Sequence, residues 1–253
     1  MDLGVGGRAY VITGGTRGLG RATAQALLAE GARVVVSGRS AEGVAAGAAG
    51  LGGPDRVVGV AADNSDPATP DRLVAATRDA FGRLDGALIS VGGPPGGPVT
   101  AVGDDAWRAA FESVFLGAVR LACTLARTLD AGGSLAFVLS SSVRMPIPNL
   151  ATSNGLRPGL AMVAKTLSDE LGPRGIRVNG LLPGRIATDR LTELDAAQGD
   201  PAQVRARNET TIPLRRYGEP AEFGRAAAFL LSPAASYLTG VMLPVDGGLL
   251  RTL

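Results

Sequence analysis

The stretch Thr13-Gly14-Gly15-Thr16-Arg17-Gly18-Leu19-Gly20 constrains this chain more than any other. It joins a short apolar run, Arg8–Thr13 (RAYVIT), to a helical run that begins at Gly18 and stops at Gly31. Glycines at such a junction permit a tight turn and let backbone N–H groups approach a ligand. The positive end of the following helix favours an anion at the same place. A glycine-rich turn is a weak signal by itself, because ordinary strand–helix connections carry glycines too. Here the strand before and the helix after supply the context that a dinucleotide diphosphate requires. Thr13, Gly14, Thr16, Arg17, Gly18, Leu19 and Gly20 are therefore the candidate cofactor loop.

The same alternation continues along the chain. Arg33–Ser37, Arg56–Ala61, Ala87–Val91, Ser134–Leu139 and Gly175–Leu182 read as strands. Between them, residues 41–49, 69–82, 104–129 and 154–172 read as helices, and a Gly/Pro loop, GGPPGGP, follows the fourth strand. Apolar strands alternating with helices imply an α/β fold: one Rossmann-type, doubly wound parallel sheet of about seven strands with helices on both faces. No linker or repeat divides the 253 residues, so a single domain over 1–253 is expected. Ligands of such sheets bind beyond the carboxyl ends of the strands.

Composition excludes several function classes. Hydrophobic residues at 45% and charged residues at 19% suit a globular chain. No run approaches the ~20 consecutive apolar residues of a membrane span, and the first residues lack a signal-peptide pattern. The single cysteine, Cys123, lies in an apolar helical run, where core packing is expected; it permits no internal disulfide and fits a reducing cytoplasm. Net charge is only +2, and the 25 basic residues are spread among 23 acidic ones, so nucleic acid is not an expected partner. The pI of 9.1 follows from a small arginine excess in a chain without histidine. Lys165 is the only lysine, and no metal site is expected.

The spacing TGxxxGxG, with Asp63 in VAADNSD, Pro183-Gly184 and Thr188 in LLPGRIATD, and the ending PLRRYGEPAEFGRAAAFLLSPAASYLTGVMLPVDGG, resembles the short-chain dehydrogenase/reductase family over essentially the whole length. Within that family the chain is similar to 3-oxoacyl-acyl-carrier-protein-reductase-like members. The resemblance implies a nicotinamide coenzyme on the glycine loop and on Asp63, Asn64, Ser90, Gly92, Arg157, Pro183, Gly184, Ile186 and Thr188. It also implies a mobile substrate lid near 189–215 and a homotetramer, or a homodimer, built on helices 104–129 and 154–172. Which coenzyme follows from charge. An acid ending the second strand would bind a ribose 2′-OH, whereas arginine pairs with a 2′-phosphate. The strand ends Ser37-Gly38-Arg39, and Arg17 supplies a second cation, so NADP(H) is favoured over NAD(H).

Most of the family's Asn–Ser–Tyr–Lys catalytic set is absent. Ser140 falls at the serine position, but Ser153 stands where tyrosine is expected, Arg157 for lysine and Val114 for asparagine. The family's NNAG is Ile89-Ser90-Val91-Gly92. A serine hydroxyl is shorter than a phenol and lacks its pKa of ~10, and arginine keeps charge without relaying protons. Ser140, Ser153 and Arg157 are nevertheless the candidate catalytic residues, with Ser141, Ser142 and water as further parts of a proton path. Of the tyrosines, Tyr217 at the end of the lid is a better substitute donor than Tyr10 or Tyr237. Arg144, Arg157 and Arg185 are candidates for stabilising an alkoxide or an acidic substrate. Three readings compete: a working oxidoreductase acting on a small carbonyl or alcohol with an altered proton path, an impaired protein that binds NADP(H) as a sensor or partner subunit, and a scaffold with a relic loop.

Overall fold

A computed structural model describes residues 2–93 and 96–252. Pro94 and Pro95 of the GGPPGGP loop lie outside the described residues. Seven parallel strands form one sheet: β1 Ala9–Ile12, β2 Arg33–Gly38, β3 Val57–Ala61, β4 Gly86–Ile89, β5 Ser134–Val138, β6 Arg177–Pro183 and β7 Met242–Val245. Their order is β3-β2-β1-β4-β5-β6-β7, so the winding reverses between β1 and β4. That reversal opens a crevice at the carboxyl ends of the two strands, directly above Thr13 and Ser90.

Eight α-helices are described: α1 Gly18–Ala29, α2 Ala41–Ala49, α3 Thr69–Phe81, α4 Asp104–Thr128, α5 Ala151–Leu171, α6 Asp189–Ala196, α7 Pro201–Glu209 and α8 Pro220–Leu231. Alternate strand residues feed two cores. Ala9, Val11, Val35, Ala87, Ile89, Leu135 and Phe137 pack with α3, α4 and α5, while Tyr10, Ile12, Val34, Val36, Leu88 and Ala136 pack with α1 and α8. The period of two along each strand is what loads both faces.

Several boundaries differ from the sequence reading by one to three residues, two of them for a visible reason. α5 begins at Ala151 rather than 154, because no capping side chain marks its start and Leu150 is the unassisted cap. β6 begins at Arg177 rather than 175, because Gly175, at φ +72, closes the short turn after α5. By length and composition α4 is apolar enough to cross a membrane, with mean hydropathy 1.5. Its Ala118, Leu121, Ala122 and Leu125 are instead buried in the sheet core. Cys123 is half-buried on this helix rather than fully in the core.

The arginine excess has a structural use. Helix C-termini expose carbonyl groups with a partial negative charge, which cations satisfy. Arg56 caps α1 at Leu28 and Ala32, Arg21 caps α2 at Gly47 and Gly50, and Arg78 and Arg174 cap α4 at Thr128, Ala126 and Leu129. Arg177 caps α8 at Leu230 and Ser232. These charges are spread over the fold.

Candidate active site

The glycine turn is held by its neighbours. Thr13 N–H donates to the Leu88 carbonyl at 3.1 Å, and its hydroxyl donates to Ser90 O at 2.8 Å and accepts from Ser90 N at 2.8 Å. This stitches β1 to the end of β4. Gly14 (φ +60) and Gly18 (φ +54) occupy left-handed conformations. A β-carbon at Gly15 would lie 2.8 Å from both Ile12 O and Val36 Cγ1, and one at Gly20 would overlap the Gly14 carbonyl. Leu19 is partly exposed in the first turn of α1, and Thr16 fills the space above Gly38 and Gly47. Arg17 caps α1 with its backbone only, and no acid stands in the first turn. The leading amides of α1 are therefore uncapped by side chains and suited to an anion. A nicotinamide dinucleotide's diphosphate fits that chemistry.

Toward the adenine end, Arg39 follows β2 and is exposed, as is Arg17. Asp63 accepts the Ser65 amide at 2.9 Å and hydroxyl at 2.8 Å. Those hydrogen bonds, with a smaller contribution from the charge of Arg39, hold its carboxyl below the usual range. The Asn64 carbonyl lies against Gly117 of α4, where only glycine leaves room.

Toward the other end, Gly92 is open and Ser90 is half-buried. Pro183 closes β6, and Gly184 N–H donates to Val245 O at 3.0 Å. Buried Ile186 pairs with Gly218, which brings together the two ends of the segment between them. Thr188 caps α6, and its methyl comes 3.7 Å from the place of a Gly18 β-carbon. The sequence-predicted cofactor residues, apart from Arg157, lie at the carboxyl ends of β1, β2, β3, β4 and β6 and in the segments that follow them.

The candidate catalytic side chains bond to one another and to the backbone. The Ser153 hydroxyl is buried 3.1 Å from that of Ser142, and Ser140 Oγ accepts the Ser142 amide at 3.0 Å. Ser140 keeps its own O–H free of that bond and available to donate. Val114 is buried within a π-helical stretch, Phe111–Leu116, of α4. Asn154, which the sequence did not single out, clasps Ile147 N and O at 3.0 and 2.9 Å and fixes the loop after β5. That loop and Gly97–Val99 line an apolar cavity of about 280 Å³.

Arg157 does not present its guanidinium for a ribose hydroxyl or a substrate anion. It is 5% exposed and donates to the carbonyls of Val138, Val91 (3.3 Å) and Gly92 (3.5 Å), bridging the ends of β4 and β5. Burial lowers its pKa to about 10, which leaves it charged at neutral pH. The other two candidate cations are also engaged. Arg144 donates to Met242 O at 3.2 Å, and Arg185 pairs with Asp195 at 3.2 Å.

None of the tyrosines replaces the missing phenol. Tyr217 is buried; its hydroxyl donates to Asp195 at 2.9 Å and accepts from Asn208 at 3.0 Å, and burial raises its pKa. It packs against the polar stretch 189–215, which forms α6 and α7. Tyr10 is buried in β1 with its pKa pushed up to about 12 by burial, and Tyr237 is fully exposed. Lys165 projects beside Gly240, away from the crevice.

This fold and this crevice define a nicotinamide-nucleotide oxidoreductase of the Rossmann type. The family pattern described as enoyl-(acyl carrier protein) reductase matches residues 14–250. Levodione reductase of Leifsonia aquatica is 35% identical over 254 residues, covering 95% of this chain and 93% of that protein. The 3-oxoacyl-acyl-carrier-protein reductase MabA of Mycobacterium tuberculosis is 29% identical over 244 residues, covering 96% and 92%. The crystal structure of L-sorbose reductase from Gluconobacter frateurii, complexed with NADPH and L-sorbose, superposes with a TM-score of 0.92 at 30% identity, covering 100% of both chains. The chain belongs to the short-chain dehydrogenase/reductase family.

Proposed function

We propose that this chain is an NADP(H)-dependent reductase of small, uncharged carbonyl compounds whose proton path runs through serine hydroxyls. The observation that carries the reading is the Ser142–Ser153 hydroxyl pair at 3.1 Å beside Ser140, at the carboxyl end of β5. When bound, the coenzyme supplies the hydride. Ser140 donates its hydroxyl hydrogen bond to the substrate oxygen. Ser153 passes its proton to that oxygen as negative charge develops, and Ser142, with solvent water, replaces the proton. A serine hydroxyl is a weak acid, so transfer is concerted with hydride arrival and slower than with a phenol.

Arg17 and Arg39 hold the 2′-phosphate in this reading, and their exposure leaves both guanidinium groups accessible to it. The apolar cavity beside Asn154, and the engagement of Arg144, Arg157 and Arg185 elsewhere, favour a neutral substrate. The NADPH-complexed sorbose reductase and levodione reductase support the coenzyme and the carbonyl class. Exposed Phe111 and Met162, on the outer faces of α4 and α5, suit pairing with further copies in a homotetramer. One cysteine without a disulfide suits the cytoplasm.

The second reading, a nucleotide-binding sensor or partner subunit, draws on the missing phenol and on the engagement of Arg157. Stopped assays of NADPH oxidation against a panel of neutral ketones and diketones separate the two. Turnover that drops at least tenfold in Ser153→Ala supports the reductase. No turnover by the wild type, with turnover gained in Ser153→Tyr/Arg157→Lys, establishes the second reading instead.

A further inference from the structure

The Arg157 guanidinium is a buried cation whose three hydrogen-bond partners are all backbone carbonyls. No carboxylate among the described residues forms an ion pair with it, and position 153 offers a serine rather than an ionisable phenol. Two of its three partners, Val91 and Gly92, belong to the segment after β4. Ser90 and Gly92 of that segment are among the residues that the family resemblance implies for the nicotinamide coenzyme, and Gly92 has open space beside it. Carbonyl dipoles solvate the charge without neutralising it. An unneutralised charge in the interior acts at long range, and salt does not screen it as it screens a surface arginine.

We propose that Arg157 makes the site selective for the oxidation state of its coenzyme, favouring the reduced, neutral nicotinamide over the oxidised, cationic one. This rests on the reading of the crevice as a nicotinamide site. The two coenzyme forms carry the same phosphates and adenosine and differ by one positive charge on the ring. Arg17, Arg39 and the amides of α1 therefore contribute equally to both and cancel in the ratio of affinities. The buried guanidinium does not cancel, because it repels only the oxidised ring. A unit charge acting across about 10 Å at an effective dielectric of about 20 is worth a factor on the order of ten in that ratio. By linkage, tenfold tighter binding of the reduced form raises the potential of the bound couple by about 30 mV. The protein fills with reduced coenzyme and releases the oxidised form readily. That suits a reductase, and it suits a sensor of the reduced pool equally.

The test is calorimetric titration of the full chain with NADPH, NADP⁺ and 2′-phospho-ADP-ribose, which keeps the phosphates and lacks the ring. Wild type is expected to bind NADPH about tenfold more tightly than NADP⁺, with the ratio unchanged between about 0.05 and about 0.5 M salt. Arg157→Lys keeps the ratio. Arg157→Gln brings it within about twofold of unity while leaving 2′-phospho-ADP-ribose affinity unchanged, which also shows that the fold and cradle are intact. If Arg157→Gln does not fold, the salt series on wild type decides, since a ratio that collapses with salt belongs to surface charge and overturns the proposal. A wild-type ratio near one, with all three ligands bound, overturns it and spares the coenzyme site. Failure of every ligand to bind overturns the coenzyme site as well.

Discussion

Gly20→Ala tests the glycine turn most directly. A β-carbon at residue 20 would stand 2.8 Å from the Gly14 carbonyl carbon and 3.1 Å from Gly15 Cα, with the Gly14 oxygen closer still. Carbon atoms rest at about 3.5–4.0 Å, so the turn must open by roughly 0.7–1 Å. The obstacle is backbone, so no rotamer relieves it. Overpacking of this kind costs about 1–3 kcal/mol of stability. It also draws Gly14 and Gly15 away from the position in which the leading amides of α1 share an anion. Losing one or two charge-assisted hydrogen bonds, each worth about 1.5–3 kcal/mol, weakens NADPH binding by at least about tenfold. Gly18→Ala is the control. Its β-carbon meets only the Thr188 side chain, at 3.7 Å and beyond, so it adds left-handed strain of about 1 kcal/mol without filling the turn. Trp107 provides the assay, since its ring packs on Gly155, two residues from Ser153. NADPH titration by Trp107 fluorescence, beside thermal unfolding, separates binding from stability. A Gly20→Ala protein that binds NADPH as tightly as wild type would refute the close-packed turn as the diphosphate cradle.

Other expectations follow from the same geometry. Arg39→Ala is expected to weaken NADPH by about 10- to 100-fold, from charge-assisted hydrogen bonds of about 1.5–3 kcal/mol, and to leave NADH nearly unchanged; equal losses for both would remove Arg39 from the phosphate site. Tyr217→Phe removes one hydrogen bond from buried Asp195, which keeps Arg185, and one from buried Asn208, which costs about 1–2 kcal/mol and lowers Tm by about 2–8 °C; an unchanged Tm would mean that the phenol adds nothing to this network. Glu222 gives a pH dependence. Its carboxyl pairs with Arg216 at 2.7 Å and accepts the Glu219 amide at 2.8 Å, which lowers its pKa from 4.5 to about 2. A carboxyl depressed in the folded state contributes stability above its unfolded pKa and loses it as pH falls toward the folded value. Urea midpoints are thus expected to fall more steeply between pH 4.5 and about 2 in wild type than in Glu222→Gln, and parallel curves would exclude this carboxyl as the cause.

Much of the fold was legible because its determinants are local. Glycines permit a tight turn whatever surrounds them, and Gly14 and Gly18 use that freedom, while short β-branched runs report buried parallel strands. Pro183-Gly184 lies at the carboxyl end of β6, as the resemblance implied, and Thr188 caps the helix that follows. The start of α5 was less legible, because Leu150 carries no capping side chain and Pro158 sits inside the helix. Asn154 left no sequence signal either, since its partner is the backbone of Ile147 on a loop.

The amino-acid sequence by itself determined the parallel α/β architecture, the anion-binding turn, and the absence of the tyrosine–lysine pair. The tertiary structure alone decided what the replacements do. Arg157 finds carbonyls 66 and 19 residues away, Tyr217 finds Asp195 22 residues away, and Ser153 finds Ser142 across a turn. Residue type sets which hydrogen bonds a side chain can make. Which partner lies within 3 Å is set by how distant segments pack, and no local pattern carries that information.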